Sequence, residues 1–283
     1  MHLIKSAKAL NRYLSVQRSK DPNVTIGFVP TMGALHQGHA SLIESCVSEN
    51  NISVCSIFVN PTQFGEKADL DNYPKPIEKD IEMLVALGCY ILFLPRYEDI
   101  YPADYQHKTF DIGGLDFKIE GASRPGHFQG VCNVIDRFFT IVSPDTAYFG
   151  QKDYQQTVVV KRLVEVTRSN VEIRIVPIKR ESHGLAMSSR NIRLSEKGGM
   201  NAAFIFKALN QLKEDIQTIS LTDALNKAKQ FISAQKGAKI DYLVAVDSYS
   251  LEEVSDMETA EGIAVVTVVE YEGVRLLDNI ILK

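Results

Sequence analysis

Residues 30–39 read PTMGALHQGH. They follow a short β-rich run, VTIGFV at 24–29, and lead into residues 38–50, where Leu42, Ile43, Cys46 and Val47 have helical spacing. A helix N-terminus presents unpaired N–H groups and the positive end of the helix dipole, so it favours anions. His36 and His39 are three apart and share a face of the first turn. Two imidazoles there add donors aimed at one place, which suits negative charge growing on phosphate oxygens. Gly33 and Gly38 let the backbone approach a ligand closely. The bland alternative is two surface histidines in a helical turn, and the strand–loop–helix position weighs against it. Zinc fits poorly, because HQGH is not H-E-x-x-H and no acidic or cysteine partner stands nearby at ligand spacing. Neither G-x-G-x-x-G nor G-x-x-x-x-G-K-[ST] occurs, which argues against a dinucleotide-binding dehydrogenase and a Walker-type kinase.

Such a loop needs a scaffold, and the first part of the chain alternates between two periods. Helical spacing over 5–19, 38–50, 77–87, 130–142 and 153–168 is interleaved with apolar runs at 24–29, 52–59, 90–94, 147–149 and 171–176. Strands that are apolar throughout and separated by helices predict a parallel sheet covered on both faces, a doubly wound α/β domain over about 1–178. Ligands of such sheets bind beyond the carboxyl ends of the strands. After Pro177 a polar stretch, PIKRESHGLAMSSRN, lacks periodicity and reads as a linker or an active-site loop. Helices are expected over 196–214, capped by Ser195, and 223–234, capped by Thr222. Strands KIDYLVAVDS, GIAVVTVVEY and VRLLDNIIL follow, the last two joined through Glu272-Gly273. This predicts a smaller α+β domain over 179–283.

Composition bounds the rest. The chain has 283 residues, 45% hydrophobic and 23% charged, so it can bury a sizeable core and is not mainly disordered. Lys plus Arg is 31 against 35 Asp plus Glu, a formal charge of −4, which makes unspecific nucleic-acid binding a poor expectation. MHLIKSAKALNRYLSV does not read as a signal peptide, and the apolar runs are too short to span a bilayer. Cys46, Cys55, Cys89 and Cys132 form no C-x-x-C and read as free thiols of a reducing cytoplasm.

HxGH at the first strand–helix junction is the signature of HIGH-type nucleotidyltransferases. PTMGALHQGHASLI, FVNPTQF, RPGHFQGV, YFGQKDYQQ and GLAMSSRN occur in that order. Together they closely resemble the pantoate–β-alanine ligase (pantothenate synthetase) family, from about residue 24 to 195; the remainder matches only in length and domain character. The resemblance implies ATP-dependent condensation of pantoate with β-alanine to pantothenate. It proceeds through a pantoyl adenylate and releases AMP and pyrophosphate, with Mg²⁺ accompanying ATP and no redox cofactor. Family members are typically cytoplasmic homodimers.

Residue roles follow from that resemblance. Met32, Gly33, Ala34, Leu35, His36, Gln37, Gly38 and His39 would line the nucleotide, with His39 as general acid or proton donor. Gly150 and Gln151 would join them, with Lys152 as a compact charge for a phosphate and Asp153 for the ribose hydroxyls. Gln63 and Gln156 resemble the pantoate-binding glutamines, since an amide both donates and accepts, with Asn60 and Arg124 beside them. Ser188, Ser189 and Arg190, with Lys179 and Met187, would form a second phosphate clamp on a closing loop. His127 reads equally as structural or functional.

The chain departs from the family's pattern at Lys75, Lys79, Gln129 and His183, and Lys79 leaves Asp80 as the candidate to hold Mg²⁺. Two rivals stay open: an adenylyltransferase for another acid, and a nucleotide sensor without turnover.

Overall fold

A computed structural model describes residues 1–65 and 67–283. Among these, the chain forms two compact units, residues 1–150 with 159–176, and residues 151–158 with 177–283. The expected division fell at 178/179; residues 151–158 group with the second unit.

The first unit is built on six strands, β1 (His2–Ile4), β2 (Ile26–Thr31), β3 (Ile52–Ile57), β4 (Ile91–Phe93), β5 (Thr146–Gly150) and β6 (Glu172–Val176). They lie in the order β1-β4-β3-β2-β5-β6, and every pairing is parallel. This is the doubly wound α/β architecture expected from the alternating periods. The core includes Val29, Ile43, Cys55, Leu84 and Leu92, from the strands and from helices Gln37–Glu49 and Ile77–Ala86. The three-residue β1 was missed because so short a strand carries no readable period. The helix expected from 130 begins at His127, after Gly126 in a left-handed conformation.

The strand order reverses between β2 and β5, and there the sheet opens. β2 pairs with β3 along all of Ile26–Thr31, but with β5 only at Gly27↔Thr146 and Phe28↔Ala147. Pro30 has no N–H to extend a ladder, and by then the pairing with β5 has ended. The carboxyl end of β2 is therefore released at the topological switch point, where open α/β sheets bind ligands.

The second unit carries an antiparallel sheet of β7 (Lys239–Asp247), β8 (Ile263–Tyr271) and β9 (Val274–Ile281), in that order. Glu272 and Gly273, both at positive φ, make the tight turn between β8 and β9. Helices Phe204–Asp215 and Leu221–Ser233 contribute Leu209, Ala224 and Ile232 to a core with Val265, Val269 and Leu276.

Two helix expectations need correction. The 196–214 helix is interrupted between Glu196–Asn201 and Phe204–Asp215; Gly198 and Gly199 weaken its first turns. The last helix is capped by Ser220, not Thr222. Ser220 Oγ accepts the Asp223 N–H at 3.1 Å, whereas the Thr222 hydroxyl donates to Ser255 O at 3.3 Å. Among the described residues no helix is long and apolar enough to cross a membrane.

Candidate active site

The loop from Met32 to His36 joins β2 to the helix Gln37–Glu49. Gly33 sits at φ +84 and Ala34 at φ +50, the latter a region that non-glycine residues rarely adopt. What holds this strained path is Asp80, 2% exposed. Its Oδ2 accepts the Ala34 N–H at 2.9 Å and its Oδ1 the Leu35 N–H at 2.7 Å. A Cβ at Gly33 would lie 3.0 Å from Asp80 Oδ2. Thr31 Oγ1 accepts the Gly33 N–H at 3.2 Å and donates to Ser56 O at 2.7 Å. Leu35 packs toward the core, while Gln37 is exposed.

His36 is the N-cap of the helix. Its Nδ1 accepts the Gly38 N–H at 3.1 Å, and His39 Nδ1 accepts the His36 N–H at 3.3 Å, a reciprocal capping box made of two imidazoles. The ring centroids are 4.1 Å apart. Because backbone N–H groups occupy both Nδ1 atoms, a neutral ring carries its proton on Nε2. When neutral, the two rings carry their Nε2–H groups at a positive helix end.

The loop after β3 lies beside this one. Gln63 Nε2 donates to Met32 Sδ at 3.3 Å. Asn60, expected to touch substrate, is 1% exposed and bound into its own loop. Its Nδ2 donates to Gln63 Oε1 at 3.1 Å and to Gly130 O at 3.3 Å. Its Oδ1 accepts from the Thr62 hydroxyl at 3.0 Å and the Tyr101 hydroxyl at 3.2 Å. Asn60 therefore orients Gln63.

The RPGHFQGV segment grips the same loop from the helix His127–Val142. His127 Nδ1 donates to Gln63 O at 2.8 Å, and its Nε2 accepts from Arg124 at 3.2 Å. A Cβ on Gly130 would overlap the Thr62 carbonyl oxygen, so only glycine permits this approach. Gly130 was not singled out in the sequence; its signal lay in a motif glycine inside a helical run. Gln129 fixes a neighbouring segment, donating to Phe110 O at 3.0 Å and Asp116 Oδ2 at 2.9 Å.

In the second unit, Gln151–Asp153 form one 3-10 turn before the helix Tyr154–Thr167. Lys152 Nζ lies 3.3 Å from Asp153 Oδ1, with the Asp153 side chain about half exposed. Gln156 is half-buried in the first turn of the helix. The turn is held by Asn279, which the sequence reading did not find: a lone polar residue in an apolar strand gives no motif.

Residues 179–193 form a tied loop. Arg180 and Ala186 pair across it, Met187 N–H donates to Lys179 O at 3.0 Å, and Asn191 Nδ2 donates to Ala186 O at 3.0 Å. Ser188 caps the 3-10 turn Ser189–Arg193, its Oγ accepting the Arg190 N–H at 3.3 Å. Lys179 is exposed, and Ser188, Ser189 and Arg190 are half-buried.

Asp80, the residue expected to hold Mg²⁺, has each carboxylate oxygen accepting one loop amide. Among the described residues, no group of three or more His, Cys, Asp or Glu could hold a metal ion. Lys75 and Lys79 are exposed, and nothing in the structure explains why lysine stands at either.

Comparison with known proteins agrees along the whole chain. The family model for pantoate–β-alanine ligase matches residues 2–281. A pantothenate synthetase from Cytophaga hutchinsonii is 44% identical over 99% of this chain and 98% of its own length. The crystal structure of pantothenate synthetase from Thermus thermophilus has TM-score 0.91 and 38% identity, covering 100% of this chain and 99% of that one. The pantoate–β-alanine ligase of Francisella tularensis, complexed with an ATP compound and β-alanine, has TM-score 0.79 and 34% identity, covering 100% and 98%.

Proposed function

The chain belongs to the pantoate–β-alanine ligase family, and we propose that it joins pantoate to β-alanine using ATP, through a pantoyl adenylate. The pantoate carboxylate attacks the α-phosphorus of ATP; the bond from that phosphorus to the bridging oxygen breaks, and pyrophosphate leaves. The β-alanine amine then attacks the acyl carbon. The carbon–oxygen bond to AMP breaks, the amine gives up a proton, and pantothenate forms. A free carboxylate is a poor electrophile; AMP is the leaving group that makes amide formation possible.

The observation that carries this reading is the reciprocal His36–His39 cap, which aims two Nε2–H donors from the positive end of a helix. They stabilise charge on the phosphate oxygens as pyrophosphate departs, each donating a hydrogen bond through Nε2 and keeping its proton. Met32 to Gly38, with Gly150 and Gln151, line the nucleotide. Lys152 pairs with a phosphate, Asp153 with the ribose, and Ser188, Ser189 and Arg190, flanked by Lys179 and Met187, follow the leaving pyrophosphate. Gln63 and Gln156 orient pantoate, with Arg124 as a further anion contact. Asn60 and Asp80 act by positioning. Mg²⁺ enters as part of MgATP, and the working form is a cytoplasmic homodimer.

Radiolabelled pyrophosphate should exchange into ATP when pantoate is present and β-alanine is absent; amide product should then need β-alanine. Exchange driven only by another acid would favour the adenylyltransferase rival, and a sensor would form no AMP. Light scattering tests the dimer.

A further inference from the structure

β9 reads VRLLDNII, and its Val274 and Leu276 belong to the core. At its centre it carries two adjacent buried polar residues, Asp278 and Asn279, opposite Thr267 and Val266 of β8. Buried carboxylates and amides are tolerated only when paired, and well-packed apolar residues would serve stability as well or better. Both are fully engaged, and each holds a different segment.

Asp278 receives the guanidinium of Arg180 as a fork, with N–O distances of 2.6 and 2.8 Å. Arg180 also donates to Gly184 O at 3.1 Å and stacks 3.7 Å from the centre of the Phe206 ring. This anchors the base of the loop that carries Ser188 and Arg190. Asn279 Oδ1 accepts from Gln151 Nε2 at 3.0 Å, while its Nδ2 donates to the carbonyls of Gln151 at 2.9 Å and Lys152 at 3.0 Å. This anchors the turn that carries the Lys152 ammonium. Successive strand side chains point to opposite faces, so one strand reaches two segments at once. Asn279 N–H donates to Asp278 Oδ1 at 2.7 Å, which ties the two anchors together.

We propose that Asp278 and Asn279 are positioning residues that hold Lys152 and the Ser188–Arg190 loop to a single strand, so that these two phosphate-handling groups keep one spacing. The inference rests on the roles given to Lys152 and Arg190 above. Misplacement of about 1 Å can cost ~10²-fold in rate.

The experiment measures pantoate-dependent ATP–pyrophosphate exchange in the full chain carrying Asn279→Ala or Asn279→Asp, each alone and combined with Lys152→Ala. Each Asn279 variant should lower exchange turnover by ~10–100-fold and leave KM for β-alanine unchanged. On top of Lys152→Ala it should add clearly less than it does alone, because part of its effect acts through that ammonium and the rest through Gln151. Asp278→Asn should also lower exchange, and its effect should multiply with Lys152→Ala, because it acts through the other loop. Near-wild-type turnover per folded molecule, or an Asn279 effect that multiplies fully with Lys152→Ala, overturns the proposal. Asn279→Asp keeps the volume and the acceptor facing Gln151, so it decides the matter if Asn279→Ala does not fold. Failure of both to fold assigns Asn279 to stability alone and also overturns it. A wild-type chain without pantoate-dependent exchange counts against the assigned reaction instead. The positioning is then judged by MgATP affinity, which Asn279→Asp and Lys152→Ala should weaken alike.

Discussion

His36 and His39 accept backbone hydrogen bonds across the first turn of one helix, each through Nδ1, with ring centroids 4.1 Å apart. The same contacts that cap the helix also direct the ring protons to Nε2. Structure and chemistry are therefore joined in these two side chains, and substitution can separate them.

His39→Ala and His36→Ala should each lower turnover by ~10²–10³-fold, the range for losing one well-placed transition-state contact. His36→Asn is more informative. Asparagine is a good N-cap, so the melting temperature should stay near wild type while turnover still falls, because the Nε2 donor is gone. Thermal unfolding and steady-state rates on the same sample check this; full activity in His36→Asn would reduce His36 to a cap.

Asp80 separates a positioning role from a metal role. Asp80→Asn sets an amide NH₂ against a backbone N–H, and turnover should fall by ~10²-fold as the 32–36 loop loses its geometry. Raising Mg²⁺ should not restore it. Recovery along a Mg²⁺ titration would return Asp80 to the metal.

Gly130→Ala forces the helix His127–Val142 away from the Thr62 carbonyl. Overpacking of this kind costs about 1–3 kcal/mol. Because Thr62 and Gln63 sit on the displaced loop, KM for pantoate should rise while KM for ATP changes little. Measuring both constants together with urea unfolding tests the link.

Burial pushes the Tyr101 phenol from 10.0 up to about 12 and, with Asp247 nearby, the Tyr154 phenol to about 12. The folded-state values lie above the unfolded ones, so this contribution is intact below about pH 10 and is lost as pH climbs from 10 to 12. Tyr101→Phe should lose about 1 kcal/mol at neutral pH with its bond to Asn60, yet show a shallower alkaline decline. Urea midpoints at several pH values up to about 11 give both quantities; parallel slopes would argue that Tyr101 does not report the titration.

All four cysteines are buried free thiols. Burial pushes Cys132 up to about 12 and Cys46, Cys55 and Cys89 upward as well. The thiolate is the reactive form, so a maleimide should label the native protein negligibly at neutral pH and all four positions after denaturation. Fast labelling of the native chain would point to local opening.

What the linear chain determined is what periodicity and local chemistry encode. The apolar strand runs with helices between them specified the parallel sheet, and the HQGH turn at a strand–helix junction marked the helix cap of the candidate site, because capping and dipole effects act within a few residues. The five ordered motifs carried the family. Tertiary structure decided which polar residues brace the loops. Asp80 is 45 residues from Leu35, Asn60 is 70 from Gly130, and Asn279 is 128 from Gln151, yet each pair is hydrogen-bonded. A carboxylate that braces a loop and one that holds a metal have the same letter; only the groups brought within about 3 Å by folding tell them apart.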